Sequence, residues 1–167
     1  LVTRPPRREI DYEDMEIVEK LGQGGQATVY KARIPSKNGP ETIAIKEPHQ
    51  SDTLTERTVD AFLSEAKKWE TVDAKERNDP RWQDSEYIVR VIDSGENLPW
   101  IATEYLDGGN LADRLAEAED GLPIDEALWI TECVCRGVGI AHNYGIVHLD
   151  LKPSNILFYE TDDDMWN

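Results

Sequence analysis

The chain has 167 residues, enough to bury a core as one domain or as most of a two-lobed one. Its 34 acidic against 18 basic side chains give a formal net charge of −16, and so acidic a surface repels nucleic-acid phosphates and anionic lipid, arguing against both as partners. No signal peptide and no membrane-length apolar run is present in this segment, and Cys133 and Cys135 point to different faces of a helical pattern, as free thiols of a reducing, cytoplasmic compartment would. The acids are spread along the chain rather than gathered in a tail, the pattern of a halophilic surface whose self-repulsion is screened by salt. Because it starts at Leu1 rather than Met, the sequence reads as a piece of a longer protein.

Residues 1–11 read as a linker, basic and proline-bearing at Arg4, Pro5, Pro6, Arg7 and Arg8. Three strands of an antiparallel meander are then expected at Met15–Val18, Ala27–Ala32 and Thr42–Lys46, separated by turn chemistry at Gly22–Gly25 and Ser36–Pro40. From Thr55 to about Val72 the apolar residues Val59, Phe62, Leu63, Ala66 and Trp69 recur at helical steps. Residues 73–86 are polar, hold Asn78-Asp79-Pro80 and are expected to form a loop in which Trp82 packs on its own segment. Two further strands follow, Tyr87–Asp93 and Trp100–Tyr105. Asp107-Gly108-Gly109 marks a change from strands to helices: a short helix from Asn110, then a long one over Asp125–Asn143. Ala127, Leu128, Ile130, Thr131, Val134, Val138 and Ala141 mark the apolar face of the long helix, and Gly145 is its C-cap.

Four features carry chemistry. The glycine-rich turn Leu21-Gly22-Gln23-Gly24-Gly25-Gln26-Ala27 lies between two strands, so its backbone can approach phosphates closely, in neither the dinucleotide-fold nor the P-loop arrangement. Lys46 closes an apolar strand. Glu65 lies mid-helix beside Phe62, Leu63 and Ala66, and a carboxylate at the edge of a buried face needs a cation, for which Lys46 is the candidate. Finally, His148-Leu149-Asp150-Leu151-Lys152-Pro153-Ser154-Asn155 gathers an acid, an ammonium and a carboxamide on a loop that Pro153 keeps from being a regular helix. An acid can take a proton from a hydroxyl, a lysine can neutralise phosphate, and an asparagine oxygen can ligate Mg²⁺. Each alone has a plain structural explanation, but all four in this order do not.

Together these residues resemble a eukaryotic-type serine/threonine protein kinase catalytic domain, over about Tyr12 to Phe158. The resemblance implies an α+β, two-lobed fold: an antiparallel five-stranded N-lobe with one long helix and a hinge over residues 12–106, and a partial C-lobe with its first helices and catalytic loop over 107–167. It implies ATP and Mg²⁺ as cofactors and protein serines or threonines as substrate; oligomeric state carries no signal. Leu21, Gly22, Gly24 and Val29 would cover the ATP phosphates and adenine. Lys46 would hold the α- and β-phosphates while pairing with Glu65, 19 residues later. Thr103 takes the gatekeeper position, the main-chain groups of Glu104 and Leu106 would bind adenine, and Asn110 would lie near the ribose. Val29, Ala44 and Leu157 would sandwich the adenine ring. Asp150 would be the catalytic base, Lys152 would steady the γ-phosphate and Asn155 would hold a Mg²⁺. The Lys152-Pro153 pair after Asp150-Leu151 resembles the serine/threonine branch.

Several positions depart from the family pattern. Ala27 stands where a third glycine would be, and Leu149 replaces the arginine that meets a phosphorylated activation loop, which implies control of another kind. The polar stretch after the Glu65 helix is long. The family places its metal-binding Asp-Phe-Gly aspartate at or beyond the last residue, Asn167, so Asp162-Asp163-Asp164 is expected to be a solvated turn. On that reading the piece by itself is inactive. A pseudokinase-like scaffold and a small-molecule kinase are the alternatives; the intact Gly24, Lys46, Glu65, Asp150 and Asn155 speak against the first, Lys152 against the second.

Overall fold

A computed structural model describes residues 8–24, 27–37, 39–49, 56–81, 86–96 and 99–159. Arg4–Arg7 of the linker, Gly25 and Gln26 of the glycine turn, Thr55, Trp82 and Asp162-Asp163-Asp164 lie outside the described residues. The described parts of Leu1–Asp84 and Ile88–Tyr105 group into one compact unit, and those of Ser85–Tyr87 and Leu106–Asn167 into a second.

The first unit is built on five antiparallel strands: β1 (Glu16–Gln23), β2 (Ala27–Ile34), β3 (Glu41–Pro48), β4 (Val91–Gly95) and β5 (Trp100–Glu104). Their spatial order is β1-β2-β3-β5-β4, so the β1–β3 meander holds as expected and β5 inserts between β3 and β4. Strand alternation sends side chains to opposite faces. Ala32, Ile34, Ile43, Ile45, Ile92, Trp100 and Ala102 fill one face, closed by Ile10, Tyr12 and Met15 of the incoming segment. On the other, Ala27, Val91 and Ile101 pack with Phe62 and Ala66 of helix α1 (Glu56–Asn78). β1 is the edge strand and is exposed along its whole length.

Several boundaries differ from expectation: β1 runs on to Gln23 and takes in Gly22, expected in the turn, and β2 and β3 extend to Ile34 and Pro48. α1 runs to Asn78, so residues 73–78, expected as loop, are its last turns. The buried stripe Phe62, Ala66, Val72 continues as Asp73 and Glu76, two fully buried carboxylates. Their charges are met inside the unit: Arg77 Nε lies 2.8 Å from Asp73, and Arg90 Nη1 lies 3.3 Å from Glu76 and 3.5 Å from Asp73. β4 starts at Val91 rather than Tyr87. Two backbone groups ahead of it bond to side chains: the Trp69 indole donates to the Val89 carbonyl, and the Arg90 amide donates to the Glu104 carboxylate.

In the second unit, helix α2 (Leu111–Glu117) precedes helix α3 (Ile124–Asn143). The buried stripe of α3 is Glu126, Ile130, Gly137 and Ile140, a face rotated from the expected one, and Leu128 and Thr131 are exposed. Gly137 permits the close approach of Tyr87, whose carbonyl oxygen would lie 2.7 Å from an added Cβ. Glu126 is buried against Arg114 of α2 at 2.5 Å. Gly145, at φ +74°, donates to the His142 carbonyl and ends α3 as expected. Among the described residues no helix is long and apolar enough to cross a membrane.

Candidate active site

In the first unit, β2, β3 and β5 put several of the predicted residues on one sheet face. Val29 is register partner of Lys46, and Ala44 is partner of Thr103. Directly opposed residues share a face, as do residues two apart, so Val29, Ala44, Lys46 and Thr103 lie together on the α1 side. From there the Lys46 ammonium reaches Glu65 of α1 at 2.6 Å and lies over the Phe62 ring. The Lys46 side chain keeps about a quarter of its surface accessible and Glu65 more than half.

The glycine turn begins at the end of β1, where Gly22 pairs with Val29 and the Gly24 amide donates to the Ala27 carbonyl at 2.9 Å. A Cβ at Gly22 would meet nothing within 4 Å, and at Gly24 only the Ala27 carbonyl at 3.8 Å. Neither glycine has a positive φ. Among the described residues, neither packing nor backbone conformation therefore demands glycine at these two positions. Leu21, on the same strand, is half-exposed. On β5, Thr103 is buried and its hydroxyl donates to the Glu104 carbonyl. The Glu104 amide is taken by the Arg90 carbonyl.

In the second unit, residues 108–111 run alongside 156–158. The Gly108 and Leu111 amides donate to the Phe158 and Ile156 carbonyls, and Phe158 returns a bond to Gly109. This pairing brings Asn110 opposite Leu157. Asn110 is the N-cap of α2: its side-chain oxygen accepts from the Ala112 and Asp113 amides. Leu106, half-buried, opens the same segment.

The loop of Asp150 is closed on itself. Lys152 Nζ lies 2.8 Å from the Asp150 carboxylate, and the Asn155 amide nitrogen donates to the Asp150 carbonyl at 2.8 Å and to its carboxylate at 3.1 Å. A 3-10 turn, Pro153–Asn155, makes the reach possible. The hydrogen bond from Lys152, seconded by that from Asn155, holds the Asp150 carboxyl below the usual carboxylate range. Asn155 spends its nitrogen on these contacts, so its Oδ1 is the atom left to a cation. Leu149 is 84% exposed at φ +64°, a left-handed conformation unusual for a branched side chain.

Two groups beside these sites were not singled out in the sequence. His49, just after β3, touches both the Thr28 hydroxyl at 3.1 Å and the Gly24 carbonyl at 2.7 Å. Only the β2–β3 register brings it there; its signal in the sequence is a histidine at the end of a hairpin that opens on a glycine turn. The second is the cluster of Asp73, Glu76 and Arg90, whose residue types gave no sign of burial. Among the described residues no group of three or more His, Cys, Asp or Glu side chains could hold a metal.

Comparison with known proteins shows the family. The family described as "Protein kinase domain" matches residues 15–165. The chain is 34% identical over 152 residues to the probable serine/threonine-protein kinase iksA of Dictyostelium discoideum, covering 87% of this chain and 15% of that protein. It is 29% identical to the serine/threonine-protein kinase mos of Xenopus laevis, covering 95% of this chain and 42% of that protein. It is 34% identical to the serine/threonine-protein kinase ULK3 of Xenopus laevis, covering 95% of this chain and 30% of that protein. The chain thus spans less than half the length of these relatives. Its five-stranded antiparallel sheet with α1 is the N-lobe of that fold, and α2 and α3 begin the C-lobe. The chain belongs to the protein kinase family.

Proposed function

We propose that the protein is a serine/threonine protein kinase, moving the γ-phosphate of ATP to hydroxyls of protein substrates. The observation that carries this reading is the 2.6 Å ion pair between Lys46 and Glu65, made between a strand and a helix. A lysine held by a carboxylate on a rigid sheet keeps its ammonium in one place, as stabilising phosphate charge requires. Gly22 and Gly24 support the same role, because neither carries a side chain that would hold its backbone off phosphate oxygens. Val29, Ala44 and Thr103 lie on the same face of the sheet, suited to the adenine ring, with Leu21 as a further contact.

Asp150 is the base that accepts the proton of the attacking hydroxyl. Its lowered pKa keeps it ionised, and Lys152 and Asn155 hold its carboxylate in one orientation. Lys152, already beside Asp150, is also placed to meet γ-phosphate charge. Oδ1 of Asn155 suits a Mg²⁺ ligand, and that ion when bound supplies charge neutralisation of the phosphates. Leu149 cannot bind a phosphorylated side chain as arginine would, so activation independent of such a contact is part of the proposal. If Leu149→Arg leaves the dependence on activation-loop phosphorylation unchanged, that part is wrong.

The roles are tested by γ-phosphate transfer with the full-length protein. Lys46→Met and Asp150→Asn should each lose at least about a hundredfold in rate. Transfer by Asp150→Asn near the wild-type rate overturns the assignment of the base.

A further inference from the structure

Lys31 of β2 stands on the sheet face that carries Val29, Ala44, Lys46 and Thr103. It opposes Ala44 in β3, and Ala44 opposes Thr103 in β5, so the three form one row across the sheet. A lysine on a sheet face ordinarily lets its ammonium turn out to water. The Lys31 side chain instead keeps about a quarter of its surface accessible. Its Nζ lies over the Tyr105 ring, 4.5 Å from the centroid, and 3.5 Å from the Glu19 carboxylate of β1. In the strand order β3 lies between Lys31 and β5, so the contact with Tyr105 reaches across β3. One side chain thereby joins the edge strand β1 to the segment that leaves β5.

Tyr105 occupies a position where such a tie matters. β5 ends at Glu104, the partner of Ile43, so Tyr105 lies just past the last pair of the β3–β5 ladder and is the last residue of the first unit. The negative face of a tyrosine ring attracts a cation. Tyrosine has two side-chain torsions, so a held ring restrains its own backbone and the peptide groups on either side, those shared with Glu104 and Leu106. The ion pair with Glu19, exposed as it is, contributes little stability by itself. Its effect is to keep the ammonium in place over the ring.

We propose that Lys31 is a positioning residue for the base, holding Tyr105 so that the main-chain groups of Glu104 and Leu106 meet adenine in one arrangement. The proposal rests on the reading of that segment as the adenine contact. Because Lys31 acts on the base and not on the phosphates, its loss weakens adenosine and ATP by the same factor. With the full-length protein, Lys31→Met should raise the Kd of adenosine and of MgATP by about two- to fivefold each, the effect of one exposed cation–π contact. Lys31→Arg, whose guanidinium can stack on the same ring and pair with Glu19, should recover most of the loss. Tyr105→Leu should weaken both ligands to a similar extent. Adding Lys31→Met to Tyr105→Leu should cost nothing further, since the two residues act through one contact. In turnover the effect should fall on KM for ATP more than on kcat.

Unchanged adenosine affinity in Lys31→Met, beside a wild type that binds adenosine, would overturn the proposal and leave the site reading intact. Loss of ATP affinity without loss of adenosine affinity would mean that Lys31 acts on phosphate charge, and would overturn it as well. So would additive losses in the double variant, or a Lys31→Arg protein as weak as Lys31→Met. A wild-type protein that binds neither adenosine nor MgATP would remove the adenine reading, and the role of Lys31 with it.

Discussion

Arg90→Met is the sharpest test of how α1 is held. Arg90 is 2% exposed, and Asp73 and Glu76 are fully buried. At the 3.3 Å separation from Glu76, an effective dielectric of about 20 gives a Coulomb attraction of about 5 kcal/mol. Removing these ions from water costs several kcal/mol each, so the intact pair contributes little net stability. Removing the arginine alone is different, because the carboxylates stay buried after their cation has gone, a loss of about 3–5 kcal/mol. Arg77 continues to neutralise Asp73 at 2.8 Å, which puts the expected value at the lower end, about 3 kcal/mol. The assay is native-state hydrogen exchange of the α1 amides between residues 70 and 78 in the full-length protein. At about 1.4 kcal/mol per tenfold, they should exchange at least about a hundredfold faster. The double variant Arg90→Met with Glu76→Leu should recover most of the protection, since an apolar pair of similar volume replaces the ion pair. An Arg90→Met protein with protection within fivefold of wild type, or a double variant worse than the single one, would refute the reasoning.

Other outcomes follow from the geometry. Gly22→Ala should leave stability unchanged or slightly raised, because the added methyl meets no atom of the described residues within 4 Å and glycine is entropically costly in a strand; ATP affinity, measured calorimetrically, should nevertheless fall. Gly108→Ala should destabilise the pairing of residues 108–111 with 156–158, since its Cβ would lie 2.7 Å from the Phe158 carbonyl; a drop in melting temperature checks this. Tyr12 donates to Glu47 at 2.5 Å, and that bond, with burial, pushes the phenol up to about 12. A folded pKa raised above the unfolded value of about 10 gives stability that is present below pH 10 and lost as pH rises through about 12. Ultraviolet titration should show one late tyrosine, absent in Tyr12→Phe. The Asp150 carboxyl should titrate by NMR below an ordinary aspartate, and Lys152→Met should move it back up. The carboxylate is favoured in the folded state, so its small stabilising effect is present above the unfolded pKa and lost as pH falls through the folded one.

The Asp150 loop was readable because its contacts are local: Asp150, Lys152 and Asn155 close on one another within six residues, and Pro153 shapes the turn. Gly22, Gly24, Lys46 and Glu65 were readable by residue type and order, and the five strands by alternation and turn residues. Those patterns depend on short-range sterics and on which residue types water rejects. The full extent of α1 was not readable. Its buried stripe continues into Asp73 and Glu76, and carboxylates read as solvated unless a cation is known to meet them. That cation, Arg90, is 14 residues beyond Glu76 and arrives through the sheet. The same holds for the α2 cap that Asn110 makes and for His49, which the β2–β3 register carries to Gly24. What the sequence determined by itself was the kind of chemistry and the secondary elements that bear it. What only the tertiary structure decided was which polar groups lose water and which partners they find there, because burial of a charge depends on neighbours far along the chain.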